Sequence, residues 1–329
     1  MRSYGAGSMV ERTAKVALPL AARFMVAGST WMISSNSEEI LTAAQETFQP
    51  AGDGSSTTDL WVSIYVDFEV PDQPRWPQPR FRALDHLYYA MYGPGDSMLV
   101  DQQRRRAVGL FSPSTARDLS YWKRVILPVL LGIASASIGV TPLHCACLVK
   151  NGHGLLIGGE SEAGKSTLAL SLSLNGFAYL SDDWTYFSQS GNEVCTWGLP
   201  TPVKLLPDAV KYFPQLAALE PAISQNGELA FEVDPVETFG VSRSLSCEPR
   251  WLVFVERTQE PCAVFKPIGS AEAASRLAAD LEMLPSRISY QREHQLATIK
   301  ALVNRDCWVL RHGMSPSSVA RELAEFCAR

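Results

Sequence analysis

The chain has 329 residues, of which 46% are apolar and 19% charged, enough to bury the core of one large or two ordinary domains. Its 29 basic and 34 acidic side chains leave a formal net charge of −5, which provides no electrostatic footprint for coating DNA or RNA. These figures exclude a small disulfide scaffold, a nucleic-acid-coating protein and a disordered tail, and leave enzyme and binding protein both open.

In chain order, Arg2 is followed by an apolar stretch that Glu11, Arg12 and Lys15 interrupt, so no signal peptide is read there. Residues 32–34 suit a strand and 37–47 a helix; 51–58 reads as a loop. Residues 60–68 are β-branched and aromatic and predict a strand, as do 87–92, 97–100 and 107–111. Gly93-Pro94-Gly95-Asp96 marks a turn, and Arg104-Arg105-Arg106 a solvated hairpin tip. A helix is expected over 116–137. Its uncharged stretch, 125–140, is broken by Pro128 and Gly132 and falls short of the ~20 residues of a spanning helix, so it reads as buried.

From there the texture changes to alternating strand-like and helical runs. Residues 143–150 and 154–158 read as paired strands joined by Asn151-Gly152. A helix over 165–175 stops at Gly176, and a strand follows at 177–181. Further strands are expected at 251–256, 262–266 and 307–310. Ala271, Ala274, Leu277, Ala278 and Leu281 recur at helical spacing, and Ser315-Pro316 opens a last helix. A domain boundary is expected near 115–140, which gives residues 1–120 as a β-rich accessory domain and 121–329 as the functional one. The seven cysteines include no C-x-x-C pair; they read as reduced buried thiols and imply a cytoplasmic chain.

One motif stands above the rest. Gly159-Glu160-Ser161-Glu162-Ala163-Gly164-Lys165-Ser166-Thr167 carries G-x-x-x-x-G-K-[ST] complete. Such a loop turns successive backbone N–H groups toward a phosphate; the lysine reaches the outer phosphates and the hydroxyl after it serves Mg²⁺. The helix that begins there presents its positive end to the same anion. Asp182-Asp183, 17 residues beyond Lys165, ends the next expected strand, where a carboxylate can reach a metal. His144 lies at the start of the strand preceding the loop strand.

Leu143-His144, the run Leu155-Leu156-Ile157-Gly158, the loop from Gly159 and Gly176-Phe177-Ala178-Tyr179-Leu180-Ser181-Asp182-Asp183 together resemble the catalytic core of the HPr kinase/phosphorylase family, over about residues 125–190. The resemblance implies an α/β C-terminal domain of the P-loop HPr-kinase-like type behind an α+β, β-rich N-terminal domain. It implies ATP and Mg²⁺ as cofactors, with Gly159 to Thr167 binding phosphates and Ser166 on the metal. One of Asp182 and Asp183 would hold the metal and the other accept the proton of an attacking hydroxyl, Asp183 being favoured as base. His144 would orient the pair. The acceptor would be a hydroxyl, a serine by preference, on a protein, peptide or small molecule, and a homo-oligomer is also implied. Nucleic-acid and membrane partners are not expected.

Departures from the family pattern are Glu162 in place of a glycine, Thr167 in place of an acid, and the lack of any Arg-Gly pair. They point to a relative of HPr kinase with another acceptor. The alternative is a nucleotide-binding regulatory protein or switch ATPase without phosphotransfer. Weaker candidates are Lys204, in the 198–204 loop, Trp184, and Arg250, Arg257 and Arg311 at strand ends.

Overall fold

The computed structural model describes residues 17–52, 57–69, 76, 78–160, 163–191, 193–224, 227–259, 261–282 and 289–328. They form a mixed α/β structure built on two large sheets and one small one.

The first sheet contains β1 (Leu20–Val26), β2 (Ser29–Ser35), β3 (Gln49–Pro50), β4 (Leu60–Val66), β5 (Arg80–Leu84), β6 (Leu87–Met91), β7 (Ser97–Asp101) and β8 (Arg106–Phe111). Their order is β3-β1-β2-β4-β8-β7-β6-β5. The β2–β4 and β4–β8 pairs are parallel and the others antiparallel. Alternation in the sequence assigns the two faces. In β4, Leu60, Val62, Ile64 and Val66 point inward, and Trp61, Ser63 and Tyr65 point out. The helix Glu38–Thr47 buries Ile40, Ala43 and Ala44 against the inner face, where Phe24, Trp31, Ile33 and Phe111 complete a core. β1 and β3 escaped the sequence reading because Ala21-Ala22-Arg23 blurs the alternation of the one and the other is two residues long. The Gly93–Asp96 turn joins β6 to β7 as expected. Its Asp96 is buried, accepting from the Ser112 N–H and the Thr115 hydroxyl, both at 2.6 Å. The Arg104 tip is solvated and pairs with Asp101 at 3.0 Å.

The single helix expected over 116–137 is instead a chain of short pieces. Pro113–Arg117 ends at Asp118, whose side chain accepts from the Tyr121 N–H and starts Leu119–Tyr121. A π-helical turn, Trp122–Ile126, leads into Leu127–Ala134 and a 3₁₀ turn, Ser135–Ile138. Pro128 offers no N–H to the carbonyl four residues back and crowds it, and the helix widens just before it. The run Leu119–Ile138 has the length and apolar composition to cross a membrane, and half of it is buried here. Trp122, Val125, Ile126, Leu127, Leu130 and Leu131 belong to the first core.

The second sheet holds β9 (Val140–His144), β10 (Ala146–Lys150), β11 (His153–Gly158), β12 (Ala178–Ser181), β13 (Trp184–Ser190), β14 (Glu193–Trp197), β18 (Ser246–Arg257), β19 (Val264–Pro267) and β20 (Cys307–His312). The small sheet is β15 (Val203–Leu205), β17 (Leu229–Val233) and β16 (Ala222–Ile223), in that order. The main path is β12-β10-β11-β18-β14-β13-β9, with β20 beside β18 and β19 beside β20. β11, β18 and β20 are mutually parallel, so their carboxyl ends share one edge. Apolar clusters cover both faces, which explains the unbroken buried runs Ala146–Val149 and Leu252–Val255. The helix Lys165–Leu174 packs on one face and ends, as read, before Gly176. On the other face the helix Ser270–Glu282 buries Leu277 and packs Ala274 and Ala278 against the core as their spacing predicts, but it buries Ala273 while Ala271 is exposed; the burial of Leu281 lies outside what is described.

Two expectations are corrected. The 143–150 run is two strands: the chain leaves the β13 ladder at His144 and joins β11 and β12 from Ala146. His144 therefore ends β9 and does not start the strand before the loop. Residues 184–197, taken for no element, are the hairpin strands β13 and β14.

Candidate active site

The loop between β11 and the helix at Lys165 has the expected strand–loop–helix order. Ser161 and Glu162 lie outside the described residues. Gly159 has φ +152, and a Cβ there would stand 2.9 Å from the Val255 carbonyl oxygen, so the chain can pass β18 only with glycine. Gly164 has φ +89 as it enters the helix, and the Leu168 N–H donates back to its carbonyl at 2.9 Å. Lys165 is buried; its ammonium donates to the carbonyls of Gly159 and Glu160, each at 2.9 Å. Both of these acceptors are uncharged backbone carbonyls. Ser166 and Thr167 follow, half-buried.

Asp182 and Asp183 form the turn from β12 to β13. Thr185, just past it, donates from its hydroxyl to the Cys145 carbonyl at 2.6 Å, tying the turn to the β9–β10 crossover. The two carboxylates differ sharply. Asp182 is buried and accepts from the Tyr179 hydroxyl at 2.7 Å, with the Ser166 hydroxyl and the Lys204 N–H against the same group. Burial raises its pKa to about 6; the hydrogen bonds pull the other way and the charge of Asp183 adds to the rise. Asp183 is turned to solvent and meets His144 Nε2 at 2.9 Å. Strand register creates that contact: His144 sits opposite Trp184 across the β9–β13 ladder, with Asp183 next to it. A carboxylate can only accept, so the imidazole donates from Nε2.

A cleft of about 630 Å³ joins these groups, in the size range of small-ligand sites. Its lining includes His144, Ala163 to Thr167, Asp182, Asp183, Trp184 and Lys204. Gly159 and Glu160 stand behind it and meet it through the Lys165 ammonium. Of the three arginines, Arg257 lines the cleft at the carboxyl end of β18. Arg250 lies over the Trp251 ring at 4.9 Å, and Arg311 pairs with Glu256 at 2.9 Å; neither lines the cleft.

Sequence reasoning missed Tyr179, Arg124, Glu232 and His312. Tyr179 was read only as part of a strand. Arg124 pairs with Glu232 at the cleft wall, hidden in sequence at the start of an apolar run. His312 is opposite Arg257 across the β18–β20 ladder; burial and that cation both lower its pKa. Its signal was available, since it closes a strand parallel to the loop strand.

No family model matches the chain, and no curated protein matches it. Solved structures similar to it include the HPr(Ser) kinase/phosphatase from Coxiella burnetii, at a TM-score of 0.30 and 14% identity, the match covering 57% of this chain and 97% of that one. A likeness of that size decides neither fold nor activity.

Proposed function

We propose that the protein is an ATP- and Mg²⁺-dependent kinase that transfers the γ-phosphoryl group to a hydroxyl of a protein, peptide or small molecule. The observation that carries the reading is the pairing of unlike carboxylates across from one lysine: Asp182 buried against Ser166, Asp183 exposed against His144, both on the cleft that Lys165 enters. In this reading the loop from Gly159 to Thr167, including Ser161 and Glu162, wraps the phosphates with its N–H groups, and Lys165 neutralises charge on the outer ones.

Asp182 and Ser166 supply a carboxylate and a hydroxyl, the hard oxygen donors that Mg²⁺ takes. When bound, the ion supplies charge neutralisation to the phosphates. Asp183 accepts the proton of the attacking hydroxyl while His144 fixes its orientation through Oδ1. The acceptor oxygen forms the new bond to phosphorus, the bond to the β-phosphate oxygen breaks, and ADP leaves. In-line transfer asks mainly for positioning and charge, which these groups provide. Residues 121–329 would be the catalytic domain and 1–120 an accessory or oligomerisation domain.

The test is transfer of labelled phosphate from Mg²⁺–ATP to a panel of serine-bearing peptides, proteins and small hydroxyl compounds. Lys165→Ala should cost about 10²–10³-fold in rate, and Asp183→Asn should lower kcat with little change in Mg²⁺ dependence. Nucleotide binding without transfer or hydrolysis would favour a regulatory role; fast hydrolysis without acceptor would favour a switch ATPase. Unchanged nucleotide binding in Lys165→Ala would remove the proposal.

A further inference from the structure

The outward face of the first sheet carries side chains that its fold does not use. In register across four strands stand Val108 on β8, Leu99 on β7, Tyr89 on β6 and Arg82 on β5. Strand spacing makes that row roughly 14 Å long. Val108 is 57% exposed, Leu99 42% and Tyr89 39%. Trp61 at 47% and Leu110 at 42% lie on the same face, one pleat to either side. A contiguous apolar face of this kind on a protein surface marks a contact with something. Trp, Tyr and Arg, present on this face as Trp61, Tyr89, Arg82 and Arg106, are the residue types enriched where contacts carry most energy.

Charge decides what that contact is. Arg82 and Arg106 are exposed on this face with no ion pair among the described residues, and Arg80 lies over the Trp76 ring. The acid in register with Arg106, Asp101, is already engaged by Arg104 and by His86. The face is therefore apolar and positive on a chain whose net charge is −5. A second copy would bring the same arginines against these, at a repulsive cost. The first sixteen residues carry Arg2, Arg12 and Lys15 against Glu11 and do not complement it either.

We infer that this face docks an acidic polypeptide segment of a partner protein, with apolar side chains on one side that cover Trp61, Tyr89, Leu99 and Val108 and carboxylates that meet Arg82 and Arg106. A helix is about 10–12 Å across with its side chains, which fits the apolar row. The segment is recognised by shape and charge and owes nothing to the chemistry of the cleft.

The full chain is titrated against a fluorescein-labelled amphipathic peptide with leucine on one face and glutamate on the other, read by anisotropy. Saturable binding is expected, weaker at high salt, and weakened about 10-fold or more by Leu99→Ser with Val108→Ser and separately by Arg82→Glu with Arg106→Glu. All four positions are exposed, and unchanged thermal midpoints show that the variants fold. The inference is overturned if the glutamate peptide does not saturate, or if a lysine version binds equally. It is also overturned if both double variants keep full affinity, or if phosphatidylserine vesicles or a single-stranded oligonucleotide displace the peptide at lower concentration than unlabelled peptide does. A dimer that dissociates on Val108→Ser replaces it with self-association.

Discussion

β4 in the first sheet alternates buried and outward side chains along its whole length, whereas β18 in the second holds four consecutive buried residues, Leu252 to Val255. Both are interior strands with parallel neighbours, yet they lie in different surroundings. The first sheet is packed on one side and leaves a broad face to water. The second is packed on both sides along its central strands, so its buried runs, such as Leu252 to Val255, leave little room there for polar groups to reach solvent before the strands end. The site follows from that: Asp182, Asp183, His144, Arg257 and His312 all sit at strand ends, and the cleft opens there. A sheet covered on both faces confines chemistry to its rim, and a sheet covered on one face has a surface to offer for contact.

The comparison can be broken or sharpened at three points, in falling order of effect. Trp31 is fully buried on the packed face of the first sheet, so Trp31→Ala should cost about 3–5 kcal/mol in urea unfolding. A loss under about 1 kcal/mol would mean that this face is not a core. The second point is Asp182, whose pKa is about 6 folded against 3.8 for the free group. A raised carboxylate pKa favours the protonated form in the fold. Its contribution to stability is full below pH 3.8 and is lost as the pH rises through about 6. The cost at pH 7.5 is of order 3 kcal/mol for a group this buried. Asp182→Asn should therefore stabilise the ligand-free chain at pH 7.5 and have little effect near pH 3.5, while abolishing any rise of the midpoint with Mg²⁺. A less stable Asn variant at pH 7.5 would show that the carboxylate is not strained there. The smallest effect is expected at Val108: Val108→Ser should shift unfolding by no more than about 0.5 kcal/mol, because the outer face carries no stability. A larger loss would make that face part of the core.

The strands that alternate were legible because their pattern is a direct record of one packed face, as at Leu60 to Val66. The Lys165 loop was legible because its glycines and lysine have fixed spacing. The buried runs were legible as strands but not as separate strands. Nothing local distinguishes Leu143-His144 from Ala146-Cys147, and the crossover at Cys145 depends on which ladder each half joins. β13 and β14 were missed because Trp184 to Trp197 mixes polar and aromatic residues without a clean period. Asp182 and Asp183 could be found in the sequence but not told apart. Their difference comes from Tyr179, three residues back on the same strand, and from His144, which reaches the turn through register alone.

The π-helical turn at Trp122–Ile126 works as a phase shifter. An α-helix advances about 100° per residue, so one extra residue in a turn rotates everything downstream by that angle relative to everything upstream. Here the shift lets Arg124 face the cleft and Glu232 while Leu127, Leu130 and Leu131 still face the first core. A chain shortened by one residue within this turn would have to give up one face or the other. The length of the turn thus sets which way its residues face, and through Arg124 on one side and Trp122 and Ile126 on the other it couples the cleft wall to the packing of the first sheet.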